Sequence, residues 1–173
     1  RPEKAPGLEL FANAVMNGGG LKDHSNDELA AIMAGKKVGV GFSMTDRFFL
    51  LSGNTNREDL ETQLQLQTAY LMHPGYRQDG VTLLRRAIPM IYNKMDHEVQ
   101  GAMKKQVPAI LYRNNPRFTF PTQEQLTSYQ VKDVRDWVDA PLKNNYMEVT
   151  VTGDFRTEDI IPLLECTVGA VPK

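Results

Sequence analysis

Hydrophobic residues along this chain switch several times between a helical period and a strand period, and the switches mark its elements. Residues 7 to 17 are an apolar run that predicts a short helix, stopped by Gly18, Gly19 and Gly20, which supply the positive φ that helix ends often require. A second helix follows over NDELAAIMA. The side-chain oxygen of Ser25 or Asn26 caps its orphan amides, Asp27 and Glu28 suit its positive end, and Gly35 closes it. Val38, Val40, Phe42 and Met44 then alternate with Gly39, Gly41 and Ser43, and RFFLLSG returns after a few polar residues, which predicts an antiparallel hairpin. One face of that hairpin is apolar and the other is unusually small. A bulky element, either a helix of this domain or another chain, is expected over Gly39 and Gly41.

From Asn56 the period turns helical, with Leu60, Leu64 and Leu71 on one stripe and Gln63 and Gln67 off it, until His73-Pro74-Gly75 ends the helix. Residues 79 to 105 are helical again, and Pro89 and Gly101 predict two helices or a kink there. After the irregular YRNNPRFTFP, Thr122 and Gln125 form a capping box, and Val131, Val134, Val138 and Leu142 make a further stripe with Trp137 beside it. Met147, Val149 and Val151 alternate with Glu148, Thr150 and Thr152, which reads as a half-buried strand closed by Gly153-Asp154. A last helix carries Ile160, Ile161 and Leu164. Separated strands with helices between them predict an α+β domain, a mainly antiparallel sheet covered by a helical layer.

Composition narrows the function classes. At 173 residues, 41% hydrophobic and 24% charged, the chain is long enough for one core, so residues 1–173 are expected to form a single domain. A net charge of -1 leaves no basic footprint for nucleic acid and no polybasic patch for an anionic membrane. No apolar run approaches the roughly 20 residues that span a bilayer, and no h-region opens the chain, so a soluble protein is expected, with any export signal outside it. Cys166, the one cysteine, lies in the apolar run IIPLLECTVGAV and is expected to be a buried small hydrophobe.

Candidate chemistry is sparse. His24, His73 and His97 sit in three segments with no i,i+4 partner; His24 is expected in solvent, His73 at a helix C-terminus, and His97 with its neighbour Glu98 pointing away. No serine lies in a Gly-x-Ser-x-Gly elbow, and Cys166 is far in sequence from any histidine. Gly18-Gly19-Gly20 has neither the preceding strand nor the Lys-Ser/Thr pair of a phosphate loop. Arg85-Arg86 and Lys104-Lys105 read as solvated helix faces.

Two landmarks, PGLELFANAVMNGGG at residues 6 to 20 and YMEVTVTGDFRTEDIIPLLECTVGAVP at 146 to 172, resemble the two ends of a domain of the insulinase/pitrilysin family of zinc metallopeptidases, the inverzincins. FLLSGNTNREDLETQLQLQTAYLMHPGYR resembles the family's second hairpin strand and the helix after it, and the order of elements matches nearly throughout. The resemblance implies a processing-peptidase-like fold and is greatest to the noncatalytic half of two-lobed bacterial zinc proteases. In that family the first helix carries His-x-x-Glu-His. Here those positions fall on Leu10, Asn13 and Ala14, which can neither ligate zinc nor take a proton from water, while Glu9 stands one residue off the required face. Family domains also open with a strand hairpin before this helix, so the resemblance implies a fragment of a larger multi-domain protein, truncated at its N-terminal strands and left with an unpaired sheet edge.

The resemblance therefore implies a zinc-site-degenerate, noncatalytic domain that helps a catalytic lobe, in the same polypeptide or a partner subunit, enclose a peptide substrate. Zinc is expected in that lobe of the parent protein and not in this chain. No catalytic or metal residue is expected here, and none is marked for substrate binding. Self-association through the exposed sheet edge or small face is a further expectation, in a bacterial periplasm or cytoplasm. The alternative is a structural or assembly subunit of the same fold without proteolysis, like the respiratory-complex core proteins.

Overall fold

The computed structural model describes residues 5–45 and 47–172. Helix dominates it. The helices are α1 (Leu8–Gly18), α2 (Asn26–Ile32), α3 (Leu60–Met72), α4 (Gln78–His97), α5 (Val99–Leu111), α6 (Gln123–Ser128), α7 (Val131–Asn144) and α8 (Thr157–Cys166), followed by a 3-10 turn, Val168–Ala170. The strands β1 (Gly41–Met44) and β2 (Phe49–Ser52) pair antiparallel, with Gly41 opposite Ser52 and Met44 opposite Phe49. The expectation of a mainly antiparallel sheet is therefore wrong for this chain: its sheet is one short hairpin set against a helical body.

The reason lies in residues 146–152. Their alternation predicts a strand, yet among the described residues they join no ladder, and Tyr146, Met147 and Val149 are exposed. A strand exists only with a partner, so the alternation alone leaves an extended, unpaired segment. Val38 and Val40 likewise fall outside β1.

Local signals placed the helix starts well. Ser25 accepts from the Glu28 amide while Glu28 accepts from the Ser25 amide, and Thr122 and Gln125 repeat this box at α6. The interruption after residue 79 is at Glu98, whose extended backbone separates α4 from α5. Pro89 is carried inside α4. Gly101 is needed because α5 crosses back over α4 there, and a Cβ would overlap the Met95 backbone.

Three apolar clusters hold the fold. The main one joins α1 to α4, α7 and the hairpin through Phe11, Val15, Met16, Phe42, Val81, Val134 and Val138, with Trp137 edge-on to Phe49 at 5.6 Å. A second joins Leu29 of α2 to Leu66 and Tyr70 of α3. The third gathers Ile88, Tyr92 and Leu126, with Leu10 and Phe120 against them. Helices α1 and α4 approach so closely at Gly18 and Gly80 that a Cβ on Gly80 would overlap the Ala14 carbonyl.

Amide side chains complete the hairpin. Thr45 N–H donates to the Phe48 carbonyl, so the N–H and C=O groups of odd-numbered residues of β1 point to β2 and those of Phe42 point to the open edge. On that outer edge Phe42 N–H donates to Asn17 Oδ1 at 2.7 Å and Asn17 Nδ2 donates to the Phe42 carbonyl at 2.8 Å. Beyond the end of β2, Gln63 does the same for Gly39, with both bonds at 2.9 Å. Gln63, expected off the buried stripe, is only 3% exposed because it stands in for a strand neighbour.

Candidate functional site

Helix α1 is where the resemblance would put a zinc site, and its surroundings are set by packing. Gly7, at φ 86°, turns the chain into α1 against Pro121, where any side chain would collide. Leu10 then packs on the Ile88, Tyr92 and Leu126 cluster. Ala14 presents its carbonyl to Gly80. Asn13 is half-buried, and its side-chain Oδ1 is buried without a hydrogen-bond partner in the structure. Leu10 and the Ala14 backbone therefore lie in the contact between α1 and α4. Leu10 and Ala14 offer no donor atom and Asn13 only a neutral amide, so these residues do not fit a catalytic zinc.

Glu9 is buried at 8% exposure. Burial first, then the charges of Glu9 and Asp133, push the Tyr129 hydroxyl up from its ordinary pKa, and that hydroxyl donates to the Pro6 carbonyl at 2.9 Å. Tyr92 donates to the Pro121 carbonyl at 2.6 Å, and burial, helped by Glu124 and Asp96, raises it to about 12. Tyr76 is raised too, first by burial and then by Asp139, with the Arg135 guanidinium 5.3 Å over its ring. All three phenols stay protonated at neutral pH and act as donors or packing groups.

The histidines do not converge on a metal. His24 and His73 lie in loops that the fold brings together, since Lys22 N–H donates to the His73 carbonyl and Leu21 bridges Pro74. Arg77 pins the same junction by donating to the Leu21 and Lys22 carbonyls at 3.2 and 2.8 Å. His97, at the end of α4, pairs its Nδ1 with the Asn93 carbonyl at 2.8 Å. Among the described residues no group of three or more His, Cys, Asp or Glu could hold a metal ion. No helix among them is long and apolar enough to cross a membrane.

The surface formed by the described residues carries open depressions, two of them prominent. The larger, about 730 Å³, runs along Lys36 to Gly41 and Ser52 to Asn54. Its floor is backbone: a Cβ on Gly39 would meet nothing within 4 Å, so no helix of the described chain covers the small face. A smaller cleft of about 320 Å³ lies between α3 and α8, lined by Gln65, Met72, His73 and Cys166 among others. Cys166 is exposed there, not buried as its apolar run predicts, because α8 turns Ile160 inward and leaves its last residue on the rim.

Sequence reasoning missed Asn17, whose amide holds the Phe42 backbone, and Gln63, whose amide holds Gly39 in the larger groove. Nothing local flags them, because each acts on a residue more than 20 positions away.

No family model matches the chain. The chloroplastic stromal processing peptidases of Pisum sativum and Arabidopsis thaliana are each 21% identical to it over 148 residues, 84% of this chain. Among solved structures, the ferredoxin protease FusC, determined as a point variant in complex with Arabidopsis ferredoxin, superposes on 95% of the chain with a TM-score of 0.70 at 16% identity. A protease from Helicobacter pylori superposes on 94% with a TM-score of 0.71 at 13% identity. The chain has the fold of a segment found in these proteases and is similar in sequence to part of the stromal processing peptidases. It spans 12% of the length of the curated relatives, and 18% and 40% of the two solved chains.

Proposed function

We propose that the chain is a noncatalytic domain of an insulinase/pitrilysin-type zinc metallopeptidase, one that helps enclose a peptide substrate against a zinc-bearing lobe. The observation that carries this reading is helix α1: at the positions where the resemblance puts the zinc motif stand Leu10, packed on Ile88, Tyr92 and Leu126, Asn13 with a neutral amide, and Ala14, whose carbonyl lies against Gly80 of α4. Support for a polypeptide substrate comes from FusC, a protease captured with ferredoxin, and from the processing peptidases. Zinc and the general base then belong to a lobe outside these residues.

The test is zinc stoichiometry by mass spectrometry after dialysis of an untagged chain against zinc, followed by cleavage of a quenched fluorescent peptide. Less than about a tenth of an equivalent of zinc and no cleavage are expected, since no ligand set is offered. One zinc per chain would overturn the reading. If the longer polypeptide carries His-x-x-Glu-His elsewhere, the peptidase role stands; if it carries none, an assembly subunit without proteolysis takes its place.

A further inference from the structure

The outer face of α5 is an apolar surface left uncovered among the described residues. Val99 is 79% exposed, Met103 59% and Ile110 75%, and Val107, Leu111 and Tyr112 are exposed beside them. Positions 99, 103, 107 and 110 recur at helical spacing and so form one stripe, while the opposite side of α5 rests on α4 through Gly101. Single exposed apolar residues are ordinary, but a continuous stripe along 13 residues of helix, about 20 Å, marks a contact surface.

Charge says what covers it. Between Val99 and Gln123 the sequence has Lys104, Lys105, Arg113 and Arg117 and no acidic residue. Lys105 is paired with Asp96 at 2.8 Å, and Lys104 and Arg113 have no ion pair among the described residues. Two copies meeting face to face on α5 would bring Lys104 and Arg113 of each against the other, while the nearby Asp96 and Glu98 are engaged by Lys105 and Lys94, so a second copy fits poorly. Two unpaired cations on a chain of net charge -1 also fall short of the roughly four to eight clustered Lys/Arg that read a lipid surface.

We propose that α5 docks an amphipathic helix from outside the described residues, apolar along one stripe and acidic on its flanks. The stripe seats between the ridges of α5 as in helix-in-groove recognition, and the acidic flank meets Lys104 and Arg113. This does not depend on the chain being part of a peptidase.

The full chain is titrated by fluorescence anisotropy with two synthetic helical peptides of about 18 residues that share one leucine stripe. One is flanked by glutamates and one by lysines. The glutamate peptide is expected to bind at least about tenfold more tightly, and Lys104→Glu to erase that preference. Met103→Glu with Ile110→Glu should abolish binding while leaving circular dichroism and the melting midpoint unchanged, because both side chains are exposed. Met103→Gln with Ile110→Gln repeats the test without added charge. Absence of saturable binding, equal affinity for both peptides, or binding that survives the double variants would overturn the proposal. So would dimerisation in sedimentation velocity, or cosedimentation with phosphatidylserine vesicles, that the double variants abolish, because a second copy or a lipid surface would then cover α5.

Discussion

Gln63 shows how one side chain can substitute for a strand. Its amide gives Gly39 both bonds that a neighbouring backbone would supply, and Gly53 leaves room for it. Gln63→Leu keeps the volume but strips both bonds. Because Gly39 can be rehydrated at the surface, the expected loss is about 2 kcal/mol in urea unfolding. An unchanged midpoint would mean the pairing is incidental. Tyr92 carries the clearest pH dependence. Its folded pKa, about 12, lies above the ordinary phenol value of about 10, so the folded state holds that proton more tightly. Its contribution is complete below about pH 10 and is lost as pH rises toward 12, and the raised Tyr70, Tyr76 and Tyr129 act in the same direction. Urea midpoints are expected to stay level from about pH 7 to 9 and to fall above about 10, less steeply in Tyr92→Phe. A flat alkaline profile in the parent chain would remove the phenols from this account.

Elements differ in how far they stand on their own. Helix α2 buries only Leu29, so its capping box matters more than its packing. Ser25→Ala is expected to cost about 1 kcal/mol, read as faster amide exchange in α2. Glu28 is held below the usual carboxylate range by the Ser25 amide and hydroxyl, so the box stabilises above the unfolded carboxylate pKa and is lost as pH falls through the folded value. Residues 146–152 are the opposite case. Their amides are expected to exchange at close to unprotected rates in this chain, while β1 amides are slowed. Protection of Val149 and Val151 would show that the segment finds a strand partner in solution. The caps were legible because each box spans three residues. The missing strand was not, because alternation reports a surface suited to pairing and says nothing about whether a partner is present.

For the whole molecule, the decisive contact is α1 against α4 and the Ile88 cluster. Leu10→Asp sets a charge against Ile88, Tyr92 and Leu126, and a loss of about 3 kcal/mol in unfolding free energy is expected. A melting midpoint like that of the parent would refute the packed role of this face. Installing a zinc motif by Leu10→His, Asn13→Glu and Ala14→His is expected to give neither stoichiometric zinc nor peptide cleavage, because a third ligand and its supporting shell are also needed. Cleavage by that variant would show that the packed face can open.

Much of the helical body was set locally. Apolar period, capping residues and the glycine or proline stops placed α1, α2, α3, the start of α6, the stripe of α7 and α8 close to where they lie, since backbone geometry within a few residues responds to those signals, while the extended Tyr129 and Gln130 that part α6 from α7 were not foreseen. That Leu10 and Ala14 carry no metal-ligating atom and Asn13 only a neutral amide needs no fold to read, because it is a matter of which atoms those side chains hold. Tertiary structure decided the rest. It broke the long helical stretch at Glu98 and not at Pro89, buried Gln63, exposed Cys166, left residues 146–152 unpaired and turned the α5 stripe outward. Each of those outcomes depends on which distant segment arrives alongside, and a period along the chain records a residue's preference for burial or pairing without naming the surface that will provide it.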